Sequence, residues 1–71
     1  MTLGKNIRNN RERLNITQSK LGGHVGVSQQ MINFYESDLK KPSIDVLERL
    51  AIVFDCTVDT LLNRDKPEST A

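Results

Sequence analysis

Five hydroxyl-bearing residues stand at short intervals along this 71-residue chain, each just ahead of apolar residues with helical spacing. They are Thr2, Thr17, Ser28, Ser43 and Thr57. Ser and Thr at such positions accept hydrogen bonds from the backbone N–H groups that a helix leaves unpaired in its first turn. No alternation of apolar and polar residues persists beyond a few positions. The sequence therefore predicts an all-α fold, a compact bundle of about five short helices.

One apolar stripe on each helix supplies the predicted core. The inward-facing residues of the five stripes are Leu3, Ile7 and Leu14; Leu21 and Val25; Ile32 and Tyr35; Ile44, Leu47, Leu50, Ala51 and Phe54; Val58, Leu61 and Leu62. Ile52 falls outside the fourth stripe and is expected to be exposed. Residues 1–63 form the predicted domain, while residues 64–71 are polar, contain a proline and indicate a frayed tail or the start of a linker.

Composition excludes several classes of protein. The chain has no run of about 18 apolar residues that could span a membrane, and residues 1–5 lack the apolar segment of a secretion signal. Its one cysteine, Cys56, cannot form an internal disulfide. We therefore expect a single cytoplasmic domain with no membrane segment.

The charge is divided unevenly between the two parts of the chain. Residues 1–41 hold seven Lys or Arg and three acidic residues, a net of +4, whereas residues 42–71 hold three basic and six acidic residues, a net of −3. A domain with one basic side suits a polyanion on that side. An ordinary solvated surface accounts for the same pattern, so charge alone does not decide between them.

A helix-turn-helix is predicted at about residues 17–37. Two crossing helices need a small residue where their backbones approach, and a turn residue that tolerates positive φ. Gly22 and Gly26 meet these needs, and both helices supply apolar residues that would face inward. These are Leu21, Val25, Val27, Ile32 and Tyr35.

From about Leu3 to Leu62 the sequence resembles the Cro and lambda-repressor family of helix-turn-helix domains, also called the xenobiotic-response-element family. The matching features are Ile7-Arg8, Ile16-Thr17-Gln18, Val25-Gly26-Val27-Ser28, Glu36, Lys41-Pro42-Ser43 and Val58-Asp59-Thr60-Leu61-Leu62. The resemblance implies a lambda-repressor-like fold. It also implies a transcription regulator, of the repressor type, that binds a double-stranded DNA operator and reads the major groove with the helix at about residues 28–37.

Four positions depart from the family pattern. Gly22 stands where the family usually has alanine, and the neighbouring Gly23 costs the second helix up to ~1 kcal/mol relative to alanine. Asn10 occupies a position often held by leucine. Asp38 replaces the usual glycine after the third helix.

Four residues of the third helix are predicted to read bases: Gln29, Gln30, Asn33 and Phe34. With Ile32 turned to the core, a helical wheel points Gln30 and Phe34 outward. A glutamine can make a bidentate bond to adenine. Phe34 could pack on thymine methyl groups, or instead contact the adjoining loop or a partner, and Asn33 could meet a base or a phosphate.

Residues flanking this helix are predicted to bind DNA phosphates: Gln18, Ser28, Ser37, Lys40 and Lys41. Gln18 starts the second helix, whose N–H groups favour an anion. Arg8 and Arg11 are further candidates on the first helix. The resemblance also implies a competing structural role for Arg11, an ion pair with Glu36 that ties the first helix to the third.

Nothing in the sequence favours an enzyme, a metal or a cofactor. His24 has no neighbouring ligands at metal-binding spacing, and Cys56 is better explained as a buried apolar residue ahead of the Thr57 cap. By resemblance we expect a homodimer on a pseudo-palindromic operator, with contacts through the fifth helix and the acidic C-terminal half. The alternative is a module that binds another protein, for which Phe34 would be an anchor.

Overall fold

The computed structural model describes residues 2–64, which form five α-helices and no strand. The helices are α1 (Leu3–Arg13), α2 (Gln18–Val25), α3 (Gln29–Glu36), α4 (Ile44–Phe54) and α5 (Val58–Leu61). The predicted all-α bundle is thus confirmed. The predicted tail begins at Arg64, and its remaining residues, 65–71, lie outside the described residues.

Each helix starts at the hydroxyl residue that the sequence predicted. The Oγ atoms of Thr2, Thr17, Ser28, Ser43 and Thr57 accept hydrogen bonds from the backbone N–H three residues later, at 3.0–3.2 Å. This bond satisfies one of the N–H groups that have no partner inside the helix. The helix starts are therefore determined by local chemistry.

Left-handed residues end the first four helices. Gly26 has φ 79°, and Asn15, Asp38 and Asp55 have φ values of 60°, 61° and 56°. Asn and Asp tolerate this conformation better than other residues with a side chain. The chain therefore reverses sharply after each helix, which lets short helices enclose a single core.

The core lies where α1, α2, α3 and α4 meet, and α5 covers it from one end. Its buried members are Ile7, Leu21, Val25, Ile32, Tyr35, Leu50, Ala51, Phe54 and Leu61. Leu3, Val27 and Val58 pack on it while remaining partly exposed. No helix within the described residues is both long and apolar enough to cross a membrane.

Two predicted core residues were placed wrongly, and one predicted surface residue is confirmed. Leu14 is the C-cap residue of α1 and is 37% exposed. Ile44 is the first residue of α4 and is 65% exposed, so the predicted apolar stripe of this helix begins to be buried only after its first turn. Ile52 is 78% exposed, as expected.

Candidate nucleic-acid interface

A tight turn joins α2 to α3. The Gly26 N–H and the Val27 N–H both donate to the Gly22 carbonyl oxygen, the second at 3.0 Å. A Cβ atom on Gly22 would lie 2.5 Å from the Val27 carbonyl oxygen, so only glycine fits at this backbone approach. Gly26 then supplies the positive φ that redirects the chain into α3.

The structure separates α3 into a buried and an exposed face. Ile32 and Tyr35 are buried in the core. Gln29, Gln30 and Asn33 are exposed, so three of the four predicted base readers are accessible on this helix. Their side chains are amides without net charge, which can both donate and accept hydrogen bonds.

Phe34, the fourth predicted reader, is half-buried. The Nζ atom of Lys40 lies over its ring, 5.5 Å from the ring centroid. The helical wheel considered α3 alone and placed Phe34 pointing away from the core. The loop that follows α3 folds back over it, which corresponds to the loop contact that was one of the alternatives.

A buried ion pair joins α3 to α1. The Arg11 Nε and Nη2 atoms donate to the Glu36 carboxylate at 2.7 and 3.1 Å, and Arg11 Nη1 donates to the Ile16 carbonyl oxygen at 2.9 Å. The side chains of Arg11 and Glu36 are only 14% and 4% exposed. The hydrogen bond to Glu36 raises the pKa of Arg11 above its ordinary value, so the guanidinium stays charged.

Gln18 joins this pair from α2. Its Nε2 atom donates to Glu36 Oε1 at 3.1 Å, so one carboxylate receives side chains from both other helices of this region. The Gln18 amide nitrogen carries two hydrogens, and only one is used here. Glu36 therefore orients the Gln18 side chain at the start of α2.

The remaining predicted phosphate ligands lie around the exposed face of α3. Ser28 caps the start of α3 and Ser37 caps its end. Lys40 and Lys41 are exposed in the loop between α3 and α4. Arg8, a further candidate, forms an exposed ion pair with Glu12 one helical turn away, at 3.1 Å.

Two contacts that sequence reasoning missed hold this region in place. Asp38 Oδ1 accepts a hydrogen bond at 2.9 Å from the Gly4 N–H, which fastens the end of α3 to the first turn of α1. Arg49 Nη1 donates at 3.3 Å to the Val25 carbonyl oxygen at the end of α2. The Asp38 departure from the family glycine was visible in the sequence, but its partner was not.

Comparison with known proteins establishes the family. A helix-turn-helix family profile matches residues 7–61, more than half of the chain. The chain belongs to the helix-turn-helix family. Within it, the domain is of the Cro and lambda-repressor type, and the family comprises DNA-binding transcription regulators and not enzymes.

Two curated relatives come from Bacillus subtilis (strain 168). The HTH-type transcriptional regulator AnsR is 40% identical over 47 residues, which is 66% of this chain and 40% of AnsR. The HTH-type transcriptional regulator ImmR is 27% identical over 66 residues, 93% of this chain and 52% of ImmR. The chain thus spans about half, or less, of the length of these relatives.

A solved structure of the P22 c2 repressor protein in complex with a synthetic operator is similar throughout. The two chains are 35% identical and superpose with a TM-score of 0.87, covering 92% of this chain and 98% of the other. The predicted lambda-repressor-like fold is therefore confirmed.

Two further sequence predictions concern metal binding and Cys56. No three His, Cys, Asp or Glu side chains within residues 2–64 are arranged to hold a metal ion. Cys56 is half-buried, and burial raises the pKa of its thiol, which keeps the unreactive protonated form at neutral pH.

Proposed function

We propose that this domain acts as a repressor-type transcription regulator that places α3 in the major groove of a DNA operator. The observation that carries the proposal is that Gln29, Gln30 and Asn33 are exposed on the helix whose Ile32 and Tyr35 are buried in the core. The similarity to a repressor solved with its operator supports it. Residues near the N-terminal end of a recognition helix are the ones that meet base edges.

Gln30 is the principal proposed base reader. It lies in the first turn of α3, and a glutamine amide can donate to N7 and accept from N6 of one adenine. Gln29 and Asn33 are also exposed on this helix. Hydrogen bonds of this kind discriminate between bases, whereas contacts to the backbone only fix the position of the protein.

Phosphate contacts are proposed around this helix. They involve Gln18, Ser28, Ser37, Lys40 and Lys41. The start of α2 presents N–H groups and the positive end of the helix dipole, and Gln18 is the first residue of this helix. Ser28 and Ser37 stand at the two ends of α3, so the proposed phosphate contacts lie at both ends of that helix.

Selection of binding sites from a random DNA pool tests the function. We expect an enriched sequence with adenine opposite Gln30. On that sequence Gln30→Ala should weaken binding by about 5- to 150-fold, the equivalent of ~1–3 kcal/mol. On random duplexes the Gln30→Ala substitution should leave the affinity unchanged. Glu48→Ala on the exposed side of α4 serves as the control and should have no effect on either DNA. A protein that binds no duplex at low salt would favour the protein-interaction alternative.

The regulator is further proposed to act in the cytoplasm, without a cofactor, as a homodimer on a pseudo-palindrome. Half-sites would lie about 34 Å apart, the one-turn spacing established for phage repressors. The exposed Ile52 on α4 is a candidate dimer contact, since burial against a second copy would remove its apolar surface from water. Footprinting of a selected site checks this, and a single unrepeated half-site would contradict the dimer.

A further inference from the structure

The loop after α3 folds back onto that helix at one residue, Phe34. The N–H groups of Leu39 and Lys40 both donate to the Phe34 carbonyl oxygen, at 2.9 and 3.4 Å. Farther out, the Lys40 Nζ atom lies 5.5 Å from the centroid of the Phe34 ring. Backbone and side chain of Lys40 are thus both placed by the same aromatic residue.

The contact has a clear electrostatic basis. The face of an aromatic ring is negative, and a lysine ammonium within about 6 Å of the centroid is attracted to it. Lysine otherwise has a long flexible side chain, and a ligand that immobilises it must overcome the lost rotamer freedom. A ring that already holds the ammonium reduces this cost. The ammonium has three N–H donors, so contact with the ring leaves donors for an anion.

The backbone that carries Lys40 is held independently at a second point. Asp38, two residues earlier, adopts φ 61° and accepts the Gly4 N–H of α1 at 2.9 Å. The loop is therefore attached both to α1 and to α3. The backbone of Lys40 is fixed by these bonds, and its ammonium contacts the Phe34 ring. The ammonium therefore has a defined position relative to the exposed face of α3.

We propose that Phe34 is a positioning residue for Lys40, which holds the ammonium where it binds a phosphate of the DNA backbone. The inference rests on the proposed function and refines one part of it, because Phe34 then acts through Lys40 and does not read thymine. Its contribution to binding is the same on every DNA sequence. The relevant ligand is a duplex phosphate, and the base pairs beneath it do not matter.

A double-mutant cycle tests the coupling between the two residues. The variants are Phe34→Leu, which keeps an apolar side chain but removes the ring, Lys40→Gln, and the two combined. Dissociation constants are measured by fluorescence anisotropy at several salt concentrations, on a selected site and on a random duplex. Phe34→Leu should weaken binding about two- to fivefold on both DNAs, the equivalent of an exposed cation–π contact. Because the charge remains, its salt dependence should stay unchanged.

Three comparisons identify the mechanism. In the Lys40→Gln background, Phe34→Leu should cause no further loss of DNA affinity. In the Lys41→Gln background, the losses of affinity from the two substitutions should add, because Lys41 does not contact the ring. Phe34→Trp, which keeps a ring face, should retain wild-type affinity. Additive losses with Lys40→Gln, or a loss confined to sites with thymine, would overturn the proposal. If the wild-type chain itself binds neither duplex, the proposed function fails, which is a different result.

One measurement needs no variant and so does not depend on how a variant folds. In the proton spectrum of the free domain, the ring should shift the Lys40 CεH₂ resonances upfield of those of Lys41. Equal shifts for the two lysines would show that the ammonium does not rest on the ring, and would also overturn the proposal.

Discussion

At the scale of single residues, the left-handed Asp38 has two requirements to meet. It adopts φ 61°, and its carboxylate accepts the Gly4 N–H at the start of α1. Glycine, the usual family residue, would suit the backbone but leave that N–H without this partner. The aspartate is therefore explained by a contact between α1 and α3 that a glycine cannot make.

Substitutions at Asp38 should separate these two requirements. Asp38→Asn keeps an acceptor and tolerates positive φ, so it should cost at most ~1 kcal/mol, through lost charge at the helix start. Asp38→Ala loses both and should cost about 2–3 kcal/mol. Asp38→Gly should fall between them. Urea denaturation measures the series, and an alanine variant as stable as the asparagine variant would rule out the Gly4 bond as a stabilising contact.

The ion pair between Arg11 and Glu36 is the second residue-scale case. Arg11→Met leaves the Glu36 carboxylate buried and without its charged partner, which should cost ~3–5 kcal/mol of unfolding free energy. The variant with methionine at both positions should recover most of this loss, because no charge is then left buried. Arg8→Met, at an ion pair whose side chains are 62% and 53% exposed, is the control and should change stability by less than ~1 kcal/mol. If Arg11→Met is as well tolerated as Arg8→Met, the structural role of the pair is refuted.

At the scale of elements, α2 contains two adjacent glycines in opposite situations. A Cβ atom on Gly22 would lie 2.5 Å from the Val27 carbonyl oxygen, whereas a Cβ on Gly23 would meet no atom within 4 Å. Gly23→Ala should therefore stabilise the domain by ~0.5–1 kcal/mol through helix propensity alone. Gly22→Ala should instead destabilise it by ~1–3 kcal/mol, because α2 and α3 must move apart. Thermal unfolding of both variants measures the difference, and a gain at Gly22 would mean that the turn can relax.

Element boundaries were predictable because their causes are local. Each helix start depends on a hydroxyl and an N–H three residues away, and both are visible in the sequence. Leu14 and Ile44 were predicted wrongly because helical periodicity does not tell whether the end of a helix still overlies the core.

The bond from Asp38 to Gly4 joins residues 34 positions apart, and no spacing rule reaches that far. The pairing of Arg11 with Glu36 was anticipated only through family resemblance.

The candidate site, like the element boundaries, was predictable where its cause is local to one helix. The wheel correctly predicted that Gln30 is exposed, because a single buried residue, Ile32, orients the whole helix. The helical wheel contains no information about the loop after α3. It therefore did not predict that the Lys40 ammonium lies over the Phe34 ring. Periodicity describes one helix at a time, and contacts between elements require the folded chain.

At the scale of the whole molecule, the uneven charge along the chain becomes a difference between two regions. Lys40 and Lys41 are exposed beside α3. Arg64, past α5, forms an ion pair with Asp59 at 3.3 Å, in the acidic part of the chain. The net charge of +1 therefore conceals the net of +4 in residues 1–41, which include the proposed base readers and both of these lysines. Attraction of a polyanion depends on this local arrangement more than on the total.

Matched removal of one charge from each region tests this view. Lys41→Gln and Arg64→Gln lower the net charge equally. Only Lys41 is proposed to neutralise a phosphate, and each neutralised phosphate contributes about 0.9 to the slope of log K against log salt concentration. The slope for random duplex should therefore flatten by about 0.9 in Lys41→Gln and stay unchanged in Arg64→Gln, with base preference unaltered in both. Equal flattening in the two variants would mean that the DNA responds to total charge, and the proposed phosphate contacts beside α3 would then lose their support.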